Sequence, residues 1–296
     1  MKIKNWQIVL LVLLAALLLV RLASKPAPAR AYYEGVKRPL VIAHQGGGDL
    51  WPGDTMYAFE HAVALGADVL EMDAHITQDG QIVLMHDERV DRTTDGTGLI
   101  EDLTLDQLLK LDAAYDFSPD NGQTFPFRGQ GILVPTLDEL FKKFPQMRYI
   151  VEIKLTRNPI DKPLCELIRS RGMQDRVLVA SFHDEAMAAF RESCPEVATS
   201  ASRQEVASFV LLGKVFLSGL LSPRFNALQV PYEPSESYNI PVMTERFVRE
   251  AHVKNLSVEP WTVNEPDLMR LYIGWGVDGI ITDRPDLMLK ILNRAD

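Results

Sequence analysis

The chain has 296 residues, 47% of them hydrophobic, and a net charge of −9. That length suits one large domain, and an acidic pI near 5.2 with no basic patch or tail argues against a nucleic-acid partner. Two cysteines, Cys165 and Cys194, are too few for a disulfide framework or a thiolate metal centre, and they are expected as buried thiols.

The first element is apolar. Ile8 to Val20 is an unbroken hydrophobic run, with Trp6 and Lys4 before it and Arg21 and Lys25 after it. Residues 1–24 are expected to form a single transmembrane anchor, with a cleaved signal peptide as the alternative, since Ala29-Arg30-Ala31 resembles a cleavage site. The expected location is a bacterial inner membrane, with the domain on the periplasmic side. Residues 25–39, rich in Pro and Ala, read as a linker.

From residue 40 on, short runs of Val, Ile and Leu alternate with amphipathic stretches. The runs are LVIA (40–43), ADVLEMD (67–73), RYIVEI (148–153), RVLVA (176–180), EVATS (196–200), ALQVP (227–231), LSVEPW (256–261) and DGIIT (278–282). Strands of this kind, separated by helices, predict a parallel sheet, and their number predicts a TIM (β/α)8 barrel over 40–296.

One run breaks the alternation. QIVLMH (81–86) follows the second strand after only HITQDG, too short for a parallel crossover, so it must turn back antiparallel. Asp79-Gly80 marks the hairpin, and a two-residue loop would set Asp73 opposite His86. The insertion after the second strand then extends over about 74–135, including a Gly-, Pro- and aromatic-rich loop over one barrel end. Thr136 with Glu139 forms a capping box that starts the next helix.

The chemistry-bearing residues collect at the ends of these strands. Glu71 and Asp73 are i and i+2, so both carboxylates point the same way, toward the mouth of a barrel. The next strand offers Glu152 and Lys154 at the same spacing. Oxygen ligands converging on one point suit a hard divalent cation, Mg2+ or Ca2+, with a salt-bridged strand end as the alternative. Lys154 could meet a phosphate oxygen. His44 and His86 end the first strand and the hairpin, a candidate acid and base for a phosphoester. His75 shares the face of Asp73 but lies toward the turn, and is expected at the rim. Arg89 and Arg92 are candidate phosphate contacts, with a solvated loop as the alternative.

The stretches VIAHQGG, PGDTMYAFEHAVALGADVLEMD, TQDGQIVLMHDERVDRTTDGTG, VPTLDEL, YIVEIKL, PWTVNEP and VDGIITDRPD occur in the order found in one family. On them the chain resembles the glycerophosphodiester phosphodiesterases, over most of residues 40–286. The resemblance implies a metal-dependent TIM barrel with a small insertion after the second strand. It implies catalytic roles for His44 and His86, metal ligation by Glu71, Asp73 and Glu152, and a family lysine at Lys154. It sets Trp261 and Asn264 at the mouth. The implied reaction is hydrolysis of a glycerophosphodiester to glycerol 3-phosphate and an alcohol. Related membrane-anchored members act on lysophospholipids, so both substrates, and the bilayer as a partner, are expected.

Two positions depart from the family pattern. His44-Gln45-Gly46 stands where His-Arg-Gly is usual, and Pro52-Gly53-Asp54-Thr55 where Pro-Glu-Asn-Thr is usual. Asp54 is the candidate replacement for the missing carboxylate, and Arg89, Arg92 or Lys154 for the missing cation. A barrel that binds phospholipid headgroups or a protein without catalysis is the alternative these departures raise. The apolar run 205–221 is expected as a buried barrel helix, with a segment that rests on a bilayer beside the active-site mouth as the alternative.

Overall fold

The structure is a computed structural model that describes residues 4–154, 157–232 and 242–294, without the side chains at 9, 10, 13, 14 and 16. Its strands are β1 (Leu40–Ala43), β2 (Val69–Ile76), β3 (Ile82–Leu84), β4 (Arg148–Ile153), β5 (Val177–Ala180), β6 (Ala198–Thr199), β7 (Ala227–Pro231), β8 (Ser257–Trp261) and β9 (Gly279–Thr282). Each coincides with an apolar run of the sequence, β3 with the antiparallel QIVLMH. Parallel pairing orders them β6-β5-β4-β2-β1-β9, with β7-β8 as a second parallel pair. A parallel bridge from Ser200 to Ala227 links β6 to β7. Bonds from Asp278 N to Val258 O and from Val263 N to Ile281 O link β8 to β9. The result is a TIM-barrel-like α/β fold.

Period-two alternation explains how the strands are buried on both faces. Leu40, Ile42, Val69, Ile150, Leu178 and Ile281 point inward and fill the barrel's interior. Val41, Leu70, Met72, Val151, Val179 and Ile280 point outward under the helices. Each fully buried side chain of this size contributes roughly 1.5–3 kcal/mol. Above the apolar interior layer the same alternation delivers Glu71, Asp73, Glu152 and Lys154.

The helices are α1 (Asn5–Ala23), α2 (Met56–Leu65), α3 (Leu105–Leu108), α4 (Leu137–Lys143), α5 (Asp161–Ser170), α6 (Asp184–Ser193), α7 (Arg203–Lys214), α8 (Glu245–Val253), α9 (Pro266–Trp275) and α10 (Pro285–Ile291). Local chemistry starts several of them. Thr55 caps α2 by accepting from Ala58 N, and Thr136 and Glu139 form the expected capping box of α4. Pro opens α9 and α10, where its missing N–H costs nothing.

The hairpin register differs by one residue from the expectation. His75 pairs with Val83 and Ala74 with Leu84, so Asp73 lies opposite Met85, not His86. The reason lies in the turn. Thr77 N donates to Gln81 O and Gly80 takes φ 80°, a three-residue loop that only glycine closes easily. His86 therefore follows the strand end. His75, expected at the rim, is 1% exposed.

Cys165 and Cys194 also differ from the expectation. They form a disulfide, with Cα atoms 5.6 Å apart, and are not free thiols. α5 and α6 pack side by side, which brings the middle of α5 to the residue that ends α6.

The anchor expected over 1–24 lies partly outside the described residues, and its described part is α1. Among the described residues no helix is long and apolar enough to cross a membrane. Residues 25–39 are fastened across the N-terminal ends of the strands. Ala27 N donates to Lys254 O, Asn226 Nδ2 to Pro28 O, and Arg30 to the carbonyls of Pro195 and Glu196. Arg148 binds the carbonyls of Tyr32 and Glu34, and Arg38 pairs with Asp278. Tyr32 is buried among the lowest interior residues and closes that end of the barrel. The apolar stretch 205–221 runs through α7 into the loop that feeds the N-terminal end of β7. Val206, Phe209 and Gly213 are buried in α7, as the barrel-helix reading expects, and the loop that follows lies at the end opposite His44 and Asp73, so the alternative position beside the mouth is corrected.

Candidate active site

At the C-terminal ends of the strands, one oxygen each from Glu71, Asp73 and Glu152 lies within 4.8 Å of the others. β2 and β4 are neighbours in register, with Asp73 opposite Glu152, which is why the three acids meet. Lys154 Nζ stands 2.9 Å from Asp73 Oδ1 and 2.8 Å from Glu152 Oε1. Burial opposes its charge, but the two carboxylates outweigh burial and hold the lysine well above its usual range. Burial and then Asp73 push Glu71 up to about 8, and burial also raises Glu152. Three acids facing one lysine are thus short of positive charge. A hard ion bound at about 2.0–2.6 Å to each oxygen requires ligands no further apart than these. The donor set is all oxygen and the spacing matches, so these residues fit a divalent cation.

The two histidines flank the acids differently. His44 Nδ1 lies 2.6 Å from Asp283 Oδ1, and its Nε2 faces Glu71 Oε2 at 3.9 Å. Burial disfavours its cation, yet Glu71 and the bond to Asp283 raise it to about 9. Asp283 is itself held by Asn264, whose Nδ2 donates to Asp283 Oδ2 at 2.9 Å and whose Oδ1 accepts from Asp283 N. Asn264 therefore acts on His44 through Asp283. His86 Nδ1 lies 2.7 Å from Asp87 Oδ1, and Arg92 clamps the same carboxylate through two bonds. That clamp, chiefly its hydrogen bonds, lowers Asp87 to about 2.

A cavity of about 190 Å3 opens over the acids, lined by His44, His86, Lys154, Phe182 and Trp261. Phe182 and Trp261 meet edge to face at 5.4 Å. A second cavity, of about 530 Å3, lies between the residue 45–55 loop and the insertion, lined by Gln45, Asp54, Arg92, Phe117 and Phe125. His86 lines both. Arg92 is spent on Asp87, and Arg89 turns to Asp91 at 3.1 Å and lines neither cavity. Of Arg89, Arg92 and Lys154, the last is the one that reaches the acids.

The two departures at residues 45 and 53 belong together. Gln45 N donates to Glu71 Oε2 at 3.1 Å and its Nε2 to Asp73 Oδ2 at 2.9 Å. A Cβ on Gly53 would stand 2.7 Å from Gln45 Oε1, so Gly53 leaves the room that the carboxamide occupies. Asp54 is buried, with one oxygen accepting from Asp73 N and the other unpartnered. For Asp283 and Asp87 the sequence offers only a carboxylate just past a strand end, as in Thr282-Asp283, and for Gln45 only its departure from the resemblance.

Residues 44–287 match the glycerophosphoryl diester phosphodiesterase family. A glycerophosphodiester phosphodiesterase from Caldanaerobacter subterraneus subsp. tengcongensis is 30% identical over 263 residues, 87% of this chain and 99% of that protein. The fold is shared with the corresponding domain of an uncharacterized Mycobacterium tuberculosis protein, with a TM-score of 0.75 at 21% identity, covering 87% of this chain and 100% of that one. It is shared too with an Oleispira antarctica phosphodiesterase solved with its product sn-glycerol-3-phosphate. There the TM-score is 0.67 at 24% identity, covering 86% and 97% of the two chains. With the matched segment running from the end of β1 through β9, most of the chain, this protein belongs to the glycerophosphoryl diester phosphodiesterase family.

Proposed function

We propose that the chain hydrolyses glycerophosphodiesters to glycerol 3-phosphate and an alcohol, using Glu71, Asp73 and Glu152 to hold one Mg2+ or Ca2+. The observation that carries this reading is the meeting of three carboxylates with an imidazole on either side, at the mouth of one cavity. Bound there, the cation would neutralise charge on the nonbridging phosphate oxygens. Lys154 adds a positive contact to the same oxygens. Asp283 and Asp87 each engage an Nδ1, so both histidines present Nε2 to the ester. One histidine takes the proton of the attacking water or glycerol hydroxyl, and the other gives a proton to the alcohol oxygen as its bond to phosphorus breaks. Trp261 and Phe182 would cover the glycerol, and the second cavity offers room for the departing alcohol. Lysophospholipids contain the same bond and are the second substrate class.

We read the fold as a complete (β/α)8 barrel with an insertion over about 74–135, preceded by a single-pass anchor at 1–24. The periplasmic side of a bacterial inner membrane suits the domain, because the Cys165–Cys194 disulfide favours an oxidising compartment. The test is glycerol 3-phosphate release from glycerophosphocholine after chelation and metal add-back. Release is expected only with metal, and His44→Ala and His86→Ala should each cut it about 100-fold or more while the fold persists. Metal-independent release, or near-full activity of both variants, would defeat the reading. No release under either metal would favour a binding module.

A further inference from the structure

Two features outside the site meet at the N-terminal end of the barrel. The first is the exit of α1. Ser24 Oγ donates to Gly219 O at 2.7 Å, and Lys25 N to Ser222 Oγ at 3.1 Å. Lys254 Nζ then ties Ser24 Oγ to Gly219 O, at 2.8 and 2.7 Å. The apolar helix is therefore clamped to the loop between α7 and β7 and to the end of α8, with no free linker between.

The second feature is a patch of large apolar side chains at those same two places. Leu211 is 62% exposed, Val215 58%, Phe216 71% and Val253 71%. Phe216 takes φ 62°, a left-handed conformation that bulky residues rarely adopt. Residues 206–226 contain no acid, while Lys214 and Arg224 are exposed there and Arg21 and Lys25 are exposed at the helix exit. Beside the patch Arg246 lies over the Phe216 ring at 4.5 Å and pairs with Glu250 at 3.4 Å, which offsets that acid. Apolar side chains bordered by an excess of cations are what an anionic lipid surface accepts.

We propose that this end of the barrel is a bilayer-docking face, with Leu211, Val215, Phe216 and Val253 seated in an anionic phospholipid leaflet beside the membrane-bound α1. The proposal rests on the anchor reading above and adds an orientation to it. His44, Asp73, Glu152 and Trp261 all stand at the opposite strand ends. The mouth therefore opens away from the leaflet that holds the anchor, and substrate arrives from water. Soluble glycerophosphodiesters are the substrate class this geometry favours. Lysophospholipids in the anchoring leaflet are out of reach.

The experiment uses the full chain in phosphatidylglycerol–phosphatidylethanolamine vesicles, with and without bromine on the acyl chains. Phe216→Trp marks the docking face, and Leu133→Trp marks the insertion at the mouth, where Leu133 is exposed. The added emission of Phe216→Trp should be quenched by the brominated lipid, and that of Leu133→Trp should survive. Survival of the Phe216→Trp emission in protein that floats with the vesicles, or quenching of Leu133→Trp, would overturn the proposal. Protein that does not float with vesicles overturns the anchor and the docking face together. In the same vesicles, dissolved glycerophosphocholine should turn over at least about tenfold faster than embedded lysophosphatidylcholine, because the mouth forfeits the local concentration of the leaflet. Equal rates would contradict the orientation. Inactivity on both would count against the reaction, and the quenching would still decide the face.

Discussion

Gln45 stands where the resemblance implies a cation, and its two bonds to Glu71 and Asp73 show what it does. It fixes the carboxylates without adding charge. Hydrogen bonds to charged groups contribute about 1.5–3 kcal/mol, so losing the carboxamide should cost roughly 10- to 100-fold in rate. Gly53→Ala is expected to produce such a loss by driving the carboxamide off Asp73, with the fold intact. In a Gln45→Ala background the same change should have little further effect, since the group it displaces is gone. Additive losses across that cycle of kcat/KM measurements would refute the coupling. At this scale the sequence disclosed the acids and the two histidines, because i, i+2 spacing is a local pattern. It did not disclose Asp283, whose bond to His44 spans 239 residues, or the capture of Arg92 by Asp87. The first contact is made only when the barrel closes, and the second is a choice of partner within one loop, five residues apart, that spacing alone does not decide.

The strands were legible as elements because each is a short apolar run between amphipathic helices. Register and cross-links were less so. The hairpin slipped by one residue because Gly80 permits a three-residue loop that the Asp-Gly pair alone does not distinguish from a two-residue one. The disulfide was missed because two cysteines 29 residues apart carry no pairing signal until α5 and α6 are packed together. Closing a loop of that length contributes about 3–4 kcal/mol in the chain-entropy account. Urea unfolding with and without reductant should differ by about that amount, and a Cys165→Ala/Cys194→Ala chain should match the reduced protein. Identical midpoints in all conditions would show that the bond adds nothing.

Across the whole molecule, the barrel separates two tasks by its two ends. The C-terminal ends of the strands gather acids, histidines and one lysine. The N-terminal ends are closed by residues 25–39 and carry the exit of α1. Composition could not disclose that division, because a Pro- and Ala-rich stretch looks the same whether it hangs free or is bound to Lys254, Asn226 and Arg148. The barrel-wide arrangement matters most at β2 and β4, whose in-register pairing brings Asp73 opposite Glu152. The measurement that tests this most directly is Mn2+ binding to the full chain, followed by electron paramagnetic resonance. One ion per chain is the predicted result, displaced by Mg2+ or Ca2+ and weakened at least about tenfold by Asp73→Asn or Glu152→Gln alike. Binding that both variants leave unchanged would contradict the account.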